Sequence, residues 1–268
     1  MRLVHSLGND PDNAPVFSEE DHSIWNTLFI KQLPQIERWA CSDYLEGFSL
    51  LGLNGDRIPT LEDLNAQITP RTGWETVRTS VRYTNAVPWY HYFSERKFLV
   101  TDYLRSKDEL EFTPEPDLFH DIFGHLPFFT LPHYAELQEI FSPAFLRTDE
   151  EHRDHIKRLA WYSSEFALIR ENGELKAFGA GLISSISELS SVMNGSVPLL
   201  PFTIDNVIPN DKSVWSHNNV IFIIESIDDL TYELKRYFEG LPQVSEEVEQ
   251  DRNLDGSTIP DEQNFVEG

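Results

Sequence analysis

His120-Asp121-Ile122-Phe123-Gly124-His125 sets two imidazoles beside a carboxylate inside an otherwise apolar, aromatic stretch. A buried neutral imidazole is either hydrogen-bonded or a metal ligand. Spacing alone leaves both open, because a HxxxxH pattern arises easily by accident. Helix geometry adds a constraint. Side chains at i and i+4 share a face, whereas five residues along an ideal α-helix turn the second about 140° from the first. The pair converges only if the helix distorts or stops there, and Gly124 tolerates a stop.

A third ligand has to come from another segment. Trp161-Tyr162-Ser163-Ser164-Glu165-Phe166-Ala167-Leu168 is apolar and aromatic, with no Lys or Arg beside Glu165. A buried carboxylate is costly unless something pairs it. A metal would do so; a partly exposed helix residue is the plainer alternative. Two His and one carboxylate on one face of an octahedron leave open positions, the arrangement of non-haem iron(II) oxygenases.

The flanking sequence reads as mainly helical. Ser18 with Glu19, Glu20 and Asp21 is a helix start, and Trp25, Leu28, Phe29, Leu33 and Ile36 follow at helical spacing. A second helix is predicted near Cys41–Leu51, ending at Gly52 or Gly55. Thr60-Leu61-Glu62-Asp63 resembles a capping box before a short helix. Residues 74–87, rich in Val, Thr and Tyr, read as strand broken by Pro88. Helix over 90–98 and strand over 99–104 follow. Residues 117–125 and 132–141 read as helical, and 152–171 as the longest helical run. Leu175–Phe178 reads as strand, Ser184–Met193 as helix, Val220–Ile224 as strand and Ile227–Phe238 as a closing helix. The fold class is α+β, mainly helical with a few short strands. No repeat or internal linker appears, so one domain is expected over 18–242, after a loose lead-in over 1–17.

Composition narrows the function. Among 268 residues, 45 Asp and Glu against 21 Lys and Arg give a formal net charge of -24. Such a chain repels phosphate backbones and anionic lipid, so no nucleic-acid or membrane partner is expected. Cys41 is the single cysteine, which excludes an intrachain disulfide, a thiolate zinc site and a cysteine-held cluster. The polar N-terminus lacks an apolar signal core, and no apolar run approaches the roughly 18 residues of a membrane span. A cytoplasmic protein, monomer or dimer, is the expectation.

Thr113-Pro-Glu-Pro-Asp-Leu-Phe-His120-Asp-Ile-Phe-Gly-His125-Leu-Pro resembles the iron-site signature of the pterin-dependent aromatic amino acid hydroxylases. Trp161-Tyr-Ser-Ser-Glu165-Phe is similar to that family's third-ligand segment, and Lys176-Ala-Phe-Gly-Ala-Gly-Leu-Ile-Ser-Ser185 to its tract behind the substrate pocket. Phe98–Arg105 and Gln32-Leu-Pro fit as well. The resemblance covers about residues 22–240 and is closest to the short bacterial form, the phenylalanine 4-monooxygenase type. It implies a single catalytic domain that hydroxylates the ring of a free aromatic amino acid, using Fe(II), a tetrahydropterin and O2. The iron centre itself would be the catalytic group, with no separate acid or base. His120, His125 and Glu165 would bind the iron. Arg105, helped by Thr113 and Ser184, would hold the substrate carboxylate, and Asp117 would fix the Arg105 fork. Pro116, Trp161 and Phe166 would line the ring pocket, with Gly181 leaving room. Trp89, where the family usually has Phe, and Asp121 would face the pterin. Ala160 stands where many members have Tyr, and Ala167 replaces a usual Gly. Trp161 points to phenylalanine or tyrosine as substrate and away from tryptophan; the bacterial form favours phenylalanine.

Three other readings compete. Ala177-Phe-Gly-Ala-Gly-Leu-Ile-Ser184 is a truncated dinucleotide fingerprint, without the third Gly or a βαβ setting. A zinc hydrolase on the same His, His and Glu lacks the usual HExxH spacing. A non-catalytic acidic binding protein would leave Glu165 unpaired.

Residues 243–268 carry Glu246, Glu247, Glu249, Asp251, Asp255, Asp261, Glu262 and Glu267 with few apolar side chains, and are expected to be a disordered tail. Deleting them should leave melting temperature and hydroxylase activity nearly unchanged. A large loss of either would mean that the tail docks, for instance through Phe265 and Val266.

Overall fold

The computed structural model describes residues 14–82, 84–111, 113, 116–212 and 216–244. The acidic tail beyond Val244 and most of the lead-in lie outside them. The chain order is α1 (Glu19–Trp39), α2 (Ser42–Leu51), α3 (Leu61–Thr72), β1 (Glu75–Thr79), α4 (Ala86–Ser94) and β2 (Lys97–Thr101). Then come α5 (Pro132–Glu139), α6 (Phe141–Arg147), α7 (Glu150–Ala160), β3 (Ala167–Glu171) and β4 (Glu174–Ala177). α8 (Ala180–Ser184), α9 (Ile186–Met193), β5 (Leu199–Pro201), α10 (Ile204–Val207), β6 (Ile221–Ile224) and α11 (Ile227–Glu239) complete it. Two π-helical segments, His120–His125 and Trp161–Glu165, interrupt this series.

Helix starts follow local chemistry. Ser18 accepts the Asp21 N–H while the Asp21 carboxylate accepts the Ser18 N–H, a reciprocal box. Thr60 caps α3 in the same position, and Gly52, at φ 70°, ends α2 in the left-handed conformation. Pro34 sits inside α1. The preceding Gln32 is buried and donates its amide to the Ile183 carbonyl, tying α1 to α8.

β1 and β2 form a parallel pair, and the second sheet runs β4-β3-β6-β5. β3 pairs parallel with β6, Ala167 opposite Phe222 and Ile169 opposite Ile224, and antiparallel with β4. An aromatic core joins the helices: Phe123 lies between Phe29, Tyr44, Phe48 and Phe119, with ring centroids 4.6 to 6.3 Å apart.

The helix expected over 90–98 and the strand over 99–104 lie earlier, as α4 and β2, and two further elements differ in kind or extent. The run expected as helix over 152–171 is α7, then a π segment, then strand β3; the longest helix is α1. The continuous apolar Ala167-Leu168-Ile169 fits a helix or a buried strand equally well, and its long-range pairing with β6 decides. Asn172 and Gly173, at φ 51° and 85°, make the β3–β4 hairpin turn. The expected strand over 74–87 stops at Thr79, and Pro88 lies in the first turn of α4, where its missing N–H costs nothing.

Gly179 is set by close approach. A Cβ there would lie 2.1 Å from the Glu165 carbonyl oxygen, and backbone cannot yield as a side-chain tip can. Gly179→Ala should cost about 1–3 kcal/mol of stability in denaturant unfolding and should weaken iron retention. An unchanged midpoint would show that the two segments are free to separate.

Candidate functional site

The π segment from His120 to His125 removes the geometric obstacle. A π turn holds more residues than an α turn, so positions five apart return to nearly the same side. The His120 and His125 Nε2 atoms face each other at 3.1 Å. Several contacts hold the widened turn. The Tyr44 hydroxyl donates to the Phe123 carbonyl at 2.7 Å, and the Thr101 N–H donates to Asp121 Oδ2 at 2.8 Å. The helix does not stop at Gly124. A Cβ there would sit 2.7 Å from the Ala180 carbonyl oxygen, so this glycine admits α8 instead.

Glu165 arrives from the second π segment, where the Phe166 N–H reaches back five residues to the Trp161 carbonyl at 2.9 Å. Its Oε1 lies 3.1 Å from His125 Nε2 and its Oε2 3.6 Å from His120 Nε2. The three candidate ligand atoms lie within 4.8 Å of one another. His120 Nδ1 is 2.9 Å from Ser184 Oγ, and the Ser184 hydroxyl reaches the Gly181 carbonyl. This order keeps the proton on Nδ1 and turns the Nε2 lone pair to the centre.

Charges agree with that role. Burial, reinforced by His125, pushes His120 down to about 4, so it is neutral at pH 7. For Glu165 burial acts upward, but the two imidazoles overcome it and hold the carboxyl down to about 2. His125 is lowered by burial, yet the Glu165 carboxylate outweighs this and raises it. Two neutral-capable imidazoles and an ionised carboxylate in one small space fit Fe(II).

Beside this centre, Asp117 is fully buried and accepts four hydrogen bonds. They come from Arg105 Nε at 2.7 Å, Arg105 Nη2 at 2.8 Å, and the backbone N–H groups of Arg105 and His120 at 3.0 Å each. Burial would raise Asp117, but Arg105 holds it below the ordinary carboxylate range. Asp117 thus takes the Nε side of the guanidinium and leaves Nη1 for any other anion.

One cavity of about 300 Å³ joins these parts. Arg105, Thr113, Pro116, Trp161, Phe166, Gly181 and Ser184 line it, and so do Trp89 and Asp121. Trp89 stacks on Phe93 at 5.2 Å. Burial pushes the Asp121 carboxyl up to about 7. Trp161 and Phe166 pack with centroids 4.7 Å apart. A Cβ on Gly181 would lie 2.6 Å from the Phe166 ring, which explains the glycine.

Several lining residues have no counterpart in the sequence reading. Glu188 and Lys212 line the cavity, and Asn218 accepts the Trp161 indole N–H at 2.8 Å. Lys212 Nζ stands 5.5 Å from the Trp161 ring centroid. The one local signal was Glu188, an acid in the small and apolar run Ala180–Ser190, although it also fits an N-terminal helix acid. Lys212 and Asn218 come from a long connection whose path no periodicity reveals.

Fold and site together fit the class of two-histidine-one-carboxylate oxygenases, here on a helical domain. The chain belongs to the biopterin-dependent aromatic amino acid hydroxylases, whose family model matches residues 11–252. It is 35% identical over 221 residues to a phenylalanine-4-hydroxylase of Mesorhizobium japonicum, covering 80% of this chain and 78% of the relative. The apo structure of the cold-active phenylalanine hydroxylase from Colwellia psychrerythraea 34H superposes with a TM-score of 0.77 at 30% identity, over 90% of this chain and 97% of that one. The Chromobacterium violaceum phenylalanine hydroxylase with bound iron(III) and 7,8-dihydrobiopterin gives 0.78 at 27% identity, over 88% of each chain.

Ala at His120, His125 or Glu165 should remove most bound iron and all coupled hydroxylation if each supplies one of three ligands. Full iron in Glu165→Ala would sink the triad. Acidification should also weaken iron binding. His125 binds metal only when neutral, and Glu165 raises its proton affinity above the ordinary value of about 6.5. Binding therefore releases that proton below the raised value and not above it. Calorimetry in two buffers of different ionisation heat should show proton release near pH 6.5 that declines as the pH is raised. Release independent of pH would contradict the assignment.

Proposed function

We propose that this enzyme hydroxylates free L-phenylalanine to L-tyrosine, with Fe(II) held by His120, His125 and Glu165. The observation that carries this is the buried Arg105–Asp117 pair opening on the same cavity as that triad. An amino acid brings a carboxylate into a space walled by aromatic groups, and a guanidinium meets it with fixed geometry. Asp117 holds the Nε side, so the Nη1 end presents itself to the substrate.

When bound, iron and a tetrahydropterin supply O2 activation and the two electrons that ring hydroxylation needs beyond those of the substrate. The chain's residues do the rest. Arg105, with Thr113, binds the carboxylate and fixes the position of the ring, and Ser184 joins them by turning its hydroxyl proton from the Gly181 carbonyl to the substrate while still accepting from His120. Pro116, Trp161 and Phe166 form the ring walls and exclude water, and Gly181 gives Phe166 its space. Trp89 offers a flat face to the pterin and Asp121 an acidic group near it. His120 keeps its Nδ1 proton on Ser184, so its Nε2 remains a ligand. Trp161 supports phenylalanine over tryptophan, and the phenylalanine hydroxylases among the relatives agree.

No helix among the described residues is long and apolar enough to cross a membrane. With a net charge of -24, a cytoplasmic monomer or dimer without a nucleic-acid partner fits best.

Arg105→Lys tests the orientation. It removes the fork and strips Asp117 of two hydrogen bonds, costing on the order of 2–4 kcal/mol of substrate binding. KM for phenylalanine should rise tens- to hundreds-fold, with iron content near wild type and pterin KM moving much less. Normal phenylalanine binding in this variant would place the carboxylate elsewhere.

A further inference from the structure

The substrate proposed above is a zwitterion, and Arg105 answers only its carboxylate. Its α-ammonium needs a partner in the same cavity. The Asp117 carboxylate is committed to Arg105 and to the backbone. Glu165 is a metal ligand, and Asp121 accepts the Thr101 N–H. Glu188 remains.

Glu188 lines the cavity and is 4% exposed. Its Oε1 accepts two hydrogen bonds from Asn218, one from the backbone N–H and one from Nδ2, both at 2.9 Å. Among the described residues no Lys, Arg or His pairs with this carboxylate. The Lys and Arg side chains that share the cavity wall have other engagements: Lys157 bonds Asp154 at 3.2 Å, Arg105 bonds Asp117, Lys212 stands over the Trp161 ring and Arg82 over the Tyr103 ring at 3.8 Å. Both bonds fall on Oε1, no described residue bonds Oε2, and Glu188 is part of the cavity wall. A buried carboxylate with one oxygen fixed and the other unmatched is costly until a cation arrives. Glu188 lies in the N-terminal turn of α9, capped by Ser185, where the helix dipole favours negative charge.

We propose that Glu188 receives the substrate's α-ammonium through Oε2. The role rests on the amino acid site proposed above. Arg105 and Glu188 then read the two ends of the zwitterion, and a ring compound lacking the amine is discriminated against. Glu188 also holds Asn218, and Asn218 holds the Trp161 indole at 2.8 Å. A purely structural role, positioning the ring wall, is therefore the alternative that the test must separate.

The test is calorimetric binding to the Fe(II)-loaded enzyme under nitrogen, without pterin, using L-phenylalanine and its deaminated analogue 3-phenylpropionate. Wild type should prefer phenylalanine. Glu188→Gln keeps the shape and the Asn218 contact but loses the charge. It should weaken phenylalanine about 10- to 100-fold and leave 3-phenylpropionate unchanged or tighter. Glu188→Asp should keep part of the preference. Asn218→Ala, acting through Trp161, should weaken both ligands alike. Equal weakening of both ligands in Glu188→Gln, or an unchanged affinity for phenylalanine, would overturn the ammonium contact. If wild type bound neither phenylalanine nor 3-phenylpropionate, the amino acid site itself would fall, and this role with it.

Discussion

Two imidazoles five residues apart diverge on an α-helix, so the metal centre depends on the chain leaving α geometry at His120–His125. A π turn is rare because it loosens backbone packing, and it persists only where its surroundings hold it open. Here they are specific: the Tyr44 hydroxyl on the Phe123 carbonyl, the Thr101 N–H on Asp121, and the Ala180 carbonyl against Gly124. The second ligand segment, Trp161–Glu165, solves a similar problem in the same way. It delivers Glu165 at the point where α7 gives out and β3 begins. α8 is wedged against both segments, which is why Gly124, Gly179 and Gly181 cannot carry side chains.

The electrostatics follow from burial. Charges removed from water must be answered locally. Asp117 answers Arg105, and Glu165 is answered by His125 and His120. The first pair is complete and leaves one end of the guanidinium for a ligand. The second brings three candidate ligand atoms to one point, where a proton on His125 or a divalent metal can answer the Glu165 carboxylate. The acidic surface plays no part in this chemistry; the cavity carries its own charge pattern.

Much of this was legible in the sequence for reasons that can be named. Ser18, Thr60 and Gly52 mark helix ends through local hydrogen bonding and backbone freedom. His120, His125 and Glu165 stood out as polar groups in apolar company. Ala167-Leu168-Ile169 was not legible, because its strand character comes from Phe222 and its neighbours, some fifty residues on. The π turn was invisible for a similar reason: Tyr44, Thr101 and Ala180, which hold it open, are distant in sequence. Lys212 reaches the cavity, and Asn218 the Trp161 indole, from a connection without periodic pattern, so only the folded chain places them.

The central claim is that this triad supports iron-dependent, pterin-coupled ring hydroxylation of an aromatic amino acid. It is tested most directly by loading the metal-free enzyme anaerobically with Fe(II) or Zn(II) and adding tetrahydropterin, L-phenylalanine and isotopically labelled O2. With Fe(II), labelled tyrosine should form in step with pterin oxidation; with Zn(II), no hydroxylated product should form. Equal turnover with zinc, or no hydroxylated product from phenylalanine, tyrosine or tryptophan with iron, would contradict the account.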